Sequence, residues 1–171
     1  LVGMATMGRP RSDLGRMQYQ DIQFKYQKSS VVGVTIHFRE PKESQVKTTQ
    51  LGILADRSIC PTSTLLLFKE KSEHLRVNLP KEHTLFLAYI EDPTKVKSVS
   101  PTTVANWIKE NMKKAGIDTS IYKAHSLRSA SSTKAIQNGH SIKSVKQHAN
   151  RSLHSNTFEK ILLQNSISTI R

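Results

Sequence analysis

The chain predicts an α+β fold: a small antiparallel β-meander set early in an otherwise mostly helical domain. Three observations lead there. Residues 21–38 alternate apolar and polar side chains, first as Ile22, Phe24 and Tyr26, then as Val32, Val34, Ile36 and Phe38. That is the period of half-buried strands. Beyond residue 100 the period changes. Val104, Trp107, Ile108 and Met112 recur at helical spacing behind Ser100-Pro101, a good N-cap followed by a good first-turn residue. No internal repeat or low-complexity stretch interrupts this order.

Taken along the chain, Ser12 and Asp13 offer an N-cap to a short helix that would present Leu14 and Met17 on one apolar face. The two alternating segments follow as strands. "REPKESQ", with Pro41, turns the chain, and residues 46–54 return as a third strand, so the meander covers about residues 21–54. Residues 60–76 read as a helix starting near Pro61 and Thr62, with Leu65, Leu66 and Phe68 toward the core and Arg76 on an outer surface. Residues 83–90 read as a short apolar strand or buried segment. The helix behind Ser100 closes with Lys113, Lys114 and Gly116, which suit a helix C-terminus. A further helix over 126–138 stops at Gly139, Ser141 caps another, and a last one begins near Ser155.

Charge narrows the function. Against 13 acidic residues stand 26 lysines and arginines, a formal net charge of +13. A surplus of this size is hard to explain by folding and suggests a polyanionic partner, most commonly nucleic acid. The single cysteine, Cys60, excludes an internal disulfide and fits a reducing compartment, nuclear or cytoplasmic. No Cys/His cluster has zinc-like spacing, so neither metal nor cofactor is expected. The longest apolar run, "TLLLF", is far too short to span a membrane. The opening Leu1, in place of methionine, leads to the expectation of a single-domain fragment over residues 1–171.

His125 and Arg128 stand out next. In a helix beginning near residue 125 their i,i+3 spacing puts both on one face beside the positive N-terminus, a good place for a phosphate. Alone, the pair reads more simply as a cap and a solvated arginine. In order, however, "GRPRSDLGRMQYQDI", a lysine-bearing hairpin, "KAHSLRSASSTKAIQNG" and "NTFEK" form a pattern. It resembles the catalytic domain of tyrosine recombinases, the phage-integrase family, and is most similar to the Crypton and DIRS versions of eukaryotic mobile elements. The resemblance covers about residues 5–163.

That resemblance implies a DNA recombination and integration activity on double-stranded DNA, with assembly as a homo-oligomer and no metal. It also implies that an N-terminal core-binding lobe is absent. The family's first arginine precedes a Ser-Asp/Glu-Leu segment, matched by Ser12-Asp13-Leu14; Arg9 and Arg11 compete for it, and Arg11 is preferred. The hairpin lysine would be Lys42, with Lys47 the alternative. His125 and Arg128 match the second box, and Lys123 would add a phosphate contact. Such a set clamps the non-bridging oxygens, protonates the leaving oxygen and serves an attacking tyrosine.

Two positions depart from the pattern. Where the family carries histidine or tryptophan this chain has Arg151, which the alignment keeps as a candidate catalytic and DNA-contacting residue, with His148 and His154 out of register. The nucleophile aligns with Leu162, and no tyrosine follows Tyr122. Ser166 and Ser168 lie beyond the register. The expectation is a domain that grips DNA without cutting it; an active recombinase with a displaced or partner-supplied nucleophile, and a basic module unrelated to DNA, stand as alternatives. Convergence of Arg9 or Arg11 with Lys42, His125 and Arg128 in one cleft separates the first two readings from the third.

Overall fold

The computed structural model describes residues 1–39, 47–149, 151, 153, 156 and 158–160. Its architecture is α+β, as the sequence predicts. Strands β1 (Ile22–Gln27), β2 (Ser30–Phe38) and β3 (Lys47–Gly52) form an antiparallel sheet in that order. Register follows the alternation. Ile22 faces Ile36 and Phe24 faces Val34 across the first pair, while Val34 faces Leu51 across the second. Ile22, Val34, Ile36 and Phe38 are buried, whereas Gln23, Lys25 and Gln50 remain on the wet face. A one-residue slip would invert these faces, so apolar burial fixes the pairing.

The inner face of the sheet packs on α2 (Pro61–Ser72) and α3 (Pro101–Lys114), with Leu14, Met17, Leu65, Leu85, Val99 and Val104 in one core. Both helices start as their sequences require. Ser100 Oγ accepts the Thr103 N–H at 3.1 Å ahead of Pro101. The buried Cys60 caps α2, its Sγ accepting from the N–H groups of Ser63 and Leu54. Beyond α2 a 3₁₀ turn, Glu73–Arg76, takes over, and the strand content of residues 83–90 shrinks to β4 (Leu87–Ala88), paired with β5 (Lys97–Ser98).

One element is new and two expectations change. An unforeseen helix, α1 (Val2–Thr6), opens the chain and ends at Met7, whose φ of 50° is left-handed. Ser12 and Asp13 cap no α-helix: only a 3₁₀ turn, Leu14–Arg16, forms, because the Asp13 carboxylate is engaged elsewhere. Arg76 does not lie on an outer surface. It is 6% exposed, donates to the carbonyls of Thr84 and Leu85 and to Ser72 Oγ, and lies 4.0 Å above the Tyr19 ring. A long aliphatic stem and five donors let it cross-link an apolar wall to exposed carbonyls, which composition alone does not reveal.

The remaining helices are α4 (Ser126–Gln137) and α5 (Ile142–His148). Ser141 caps α5 through the Ser144 N–H, and Gly139, with φ of 91°, makes the left-handed stop between the two helices. A second apolar cluster of Met7, Val145, Ala149 and Phe158 lies beneath them. Residues 158–160 are helical, in agreement with the start of the last predicted helix; its continuation lies outside the described residues. None of the described helices is long and apolar enough to cross a membrane.

Candidate functional site

The turn between α1 and the first core residues carries the start of the site. Asp13 and Leu14 both donate backbone N–H groups to the Arg9 carbonyl at 3.0 Å, folding residues 9–14 into a tight loop. The loop brings the Asp13 carboxylate back to Arg9. Oδ2 accepts the Arg9 backbone N–H at 2.7 Å, and Oδ1 accepts Nε at 3.0 Å and pairs with Nη2 at 2.9 Å. The Asp13 side chain is 1% exposed, and a carboxylate so placed needs cations around it.

The second cation comes from α4. Arg128 Nη1 lies 3.7 Å from Asp13 Oδ2 and donates to the Met7 carbonyl at 2.8 Å; its side chain is 11% exposed. The left-handed turn at Met7 presents that carbonyl. One turn along α4, the fully buried Ser132 donates to the Arg128 carbonyl and lies 3.4 Å from the Met7 sulfur. Arg151 Nη2 then approaches Ser132 Oγ at 3.5 Å, and its guanidinium stacks 4.4 Å from the Phe158 ring centroid. Arg9, Arg128 and Arg151 are thus linked by a short chain of contacts through Asp13, Met7 and Ser132. Burial pulls the Arg151 pKa below the ordinary arginine value.

Arg9, and not the preferred Arg11, shares a carboxylate with Arg128. Arg11 Nη2 is drawn off to Thr102 Oγ1 on α3, at 2.9 Å, in an exposed contact. The cause is the loop: residues 9 and 13 close on each other, and an intervening side chain points elsewhere. His125 stands exposed at the N-cap of α4, its carbonyl accepting the Arg128 N–H at 3.1 Å; its ring caps nothing. Lys123 ties the preceding turn, donating to the Ser120 carbonyl at 2.8 Å. Lys47 lies at the start of β3, its amine 5.2 Å from the Phe38 ring centroid. His148 Nε2 meets the Ala5 carbonyl at 2.7 Å and pins α5 to α1. Lys42, His154 and Leu162 lie outside the described residues.

Sequence reasoning missed the roles of Asp13, Met7 and Ser132. Signals for two of them existed. Asp13 follows Arg9 by four residues, within reach across a turn, and Ser132 follows Arg128 by four on a predicted helix, the separation at which a serine hydroxyl reaches back to a carbonyl. Met7 gave none, because its part is played by a carbonyl. The assembled cluster offers guanidinium N–H donors held by buried partners, an arrangement suited to the oxygens of a phosphate. No group of three or more His, Cys, Asp or Glu side chains among the described residues is placed to hold a metal.

Solved structures decide what this architecture is. The XerH site-specific recombinase bound to its difH substrate, in a pre-cleavage complex, superposes over 99% of this chain and 44% of its own, with a TM-score of 0.66 and 17% identity. The fold is that of the tyrosine recombinases. XerH on a palindromic difH substrate, in a post-cleavage complex, gives a TM-score of 0.67 at 15% identity over 43% of that chain. XerA recombinase gives 0.63 at 19% over 54%. This chain therefore spans about half the length of the tyrosine recombinases it matches. No family model matches it, and no curated protein does.

Proposed function

We propose that this chain binds duplex DNA through the Arg9–Asp13–Arg128 cluster and does not cleave it. The observation that carries the reading is the meeting of two arginines, 119 positions apart in "GRPRSDLG" and "HSLR", on one buried carboxylate within a tyrosine-recombinase fold. The +13 charge supplies the attraction to a phosphate backbone. Asp13 neutralises part of the arginine charge yet holds both guanidinium groups in place, so less side-chain freedom is lost when a phosphate arrives. Cleavage needs a nucleophile, and on the family resemblance the tyrosine's position falls at Leu162. His125 and Lys42 would complete a grip around the same phosphate, with Arg11, Lys47 and Lys123 on flanking ones.

The finer kinship, to Crypton and DIRS elements, is supported by the H-x-x-R box and the "NTFEK" segment, and would make this a domain of mobile-element origin working on DNA inside the cell, nuclear or cytoplasmic. It would act as a homo-oligomer on DNA, which sedimentation with and without duplex measures.

Fluorescence anisotropy with a labelled duplex tests the binding. Affinity is expected to fall steeply between 50 and 200 mM salt, as counterion release requires; a flat response sinks the proposal. Arg128→Ala is expected to weaken binding about tenfold. Lys95→Ala, on an exposed lysine paired with Asp92, should change it less than about twofold. A suicide duplex that traps covalent intermediates should yield no adduct, and an adduct would instead favour a displaced or partner-supplied nucleophile.

A further inference from the structure

The solvent face of the β1–β2–β3 sheet shares no residue with the arginine cluster and differs from it in chemistry. β1 brings Gln23 and Lys25 to that face, β2 brings Thr35 and His37, and β3 brings Thr48 and Gln50. The register lines up Gln23, Thr35 and Gln50 across the three strands. In the next row Lys25 stands opposite Gly33, and Gly33 opposite Gly52. A Cβ on Gly33 would meet the Leu51 carbonyl oxygen at 2.8 Å, so the middle strand stays bare there. Lys25 crosses that gap, and its amine donates to Gln50 Oε1 at 2.9 Å. His37 Nδ1 and Thr48 Oγ1 meet at 3.1 Å on the same face.

What such a face fits follows from its charge and its hydrogen-bonding groups. Residues 22–38 and 47–52 include no aspartate or glutamate. Asp21, just before β1, is buried with both oxygens on Arg39, at 2.7 and 2.8 Å, and Glu82 adds its charge near the same guanidinium. Lys25, and Lys28 in the β1–β2 turn, are exposed, and neither pairs with a carboxylate among the described residues. Negative charge is thus met at one end of the sheet, and positive charge is unmet at the other, which suits a polyanion. The face also lacks the apolar centre that a protein partner buries. Among the described residues the Gln23 amide has no side-chain partner, and Gln50 accepts only from Lys25. An amide carries a donor and an acceptor side by side, which matches the N6 and N7 edge of adenine. Two strand spacings separate Gln23 from Gln50, roughly 10 Å. A major groove is wider, at about 12 Å.

We propose that this face reads bases in duplex DNA, Gln23 and Gln50 selecting adenine through its major-groove edge while Lys25 and Lys28 meet flanking phosphates. The inference rests on the DNA-binding reading of the chain and adds to it a source of sequence preference. The arginine cluster contacts phosphate, which is the same in every sequence, whereas amides on a sheet face distinguish one base from another. Lys25 acts on both counts. Its bond to Gln50 fixes the amide before DNA arrives, so less side-chain freedom is lost on binding.

The experiment selects bound duplexes from a pool with a random central segment and sequences them, for the wild type and for the double variant Gln23→Ala/Gln50→Ala. The wild type should enrich adenine within the segment, and the double variant should lose about tenfold of that preference while keeping salt-sensitive affinity. A second measurement needs no variant. Replacing a selected adenine by 7-deazaadenine removes the N7 acceptor and should weaken wild-type binding about tenfold in anisotropy. No enrichment, an enrichment that the double variant retains, or full affinity for the 7-deazaadenine duplex overturns the proposal, while salt-sensitive binding leaves the DNA reading standing. Absence of any duplex binding at low salt removes the DNA reading and this proposal together. A double variant that alters sedimentation of the free protein but not base preference makes the face a contact between copies of the chain, and overturns the proposal as well.

Discussion

Arg9 and Arg128 both depend on the Asp13 carboxylate, which is almost entirely shielded from water. Asp13→Asn keeps the shape and removes the charge, leaving the two guanidinium groups without their shared counter-ion. Breaking a buried ion pair from one side costs about 3 kcal/mol, and thermal unfolding should show a loss of that size. Arg76 belongs to the same scale with a different logic. Arg76→Ala strands the carbonyls of Thr84 and Leu85 and opens space beneath Tyr19, at a cost of about 3 kcal/mol, with an additional expectation of unchanged DNA affinity in the fraction that remains folded. His125 and Arg128 could be singled out residue by residue, since they sit three apart in one short motif, and of the two the structure brings Arg128 to the Asp13 carboxylate while His125 stays exposed. The choice between Arg9 and Arg11 could not be made that way. It turns on a loop closed by backbone hydrogen bonds, and neighbouring arginines have the same chemistry until the loop points them in different directions.

At the scale of elements, the loop carrying Arg9 and Asp13 is fixed by how closely it meets α3. A Cβ built on Gly15 would stand 2.7 Å from the Pro101 Cα, against backbone that cannot give way. Gly15→Ala should destabilise the fold by about 1–3 kcal/mol and shift the arginine loop, so DNA affinity should drop along with the unfolding temperature. At the other end of the site, the amine of Lys146 on α5 pairs with Glu159 at 2.8 Å and donates to the Leu153 carbonyl, securing the segment that carries Phe158 beneath Arg151. The hydrogen bond from Lys146 holds the Glu159 carboxyl below its ordinary pKa. A carboxyl depressed in the folded state stabilises it above the unfolded value of about 4.3 and loses that contribution as pH falls through the folded value. Unfolding scans of the wild type and Glu159→Gln should therefore differ near pH 7 and converge toward pH 3. Helices α3, α4 and α5 could be read from caps and stops, because those signals act within a few residues. The helix expected at Ser12 failed because its capping carboxylate found arginine partners, one of them on a distant helix.

At the scale of the molecule, the basic surplus and the cluster act together: the general field draws a polyanion, and the guanidinium groups place one phosphate. Mutating surface lysines far from the cluster should flatten the salt dependence, by about one unit of log–log slope for each phosphate that is no longer neutralised, as titrations across salt would measure. The sequence by itself determined the α+β class, the meander and its register, the caps of α3 and α5, and the candidacy of His125 and Arg128, since all of these follow from periods and interactions between near neighbours. Only the tertiary structure decided that Arg9 joins Arg128, that Arg76 is buried, and that Arg151 stands over Phe158 beside Ser132. Each depends on residues far apart in the chain meeting around a buried charge or ring. No local pattern records which of 26 cations will be the ones to meet there.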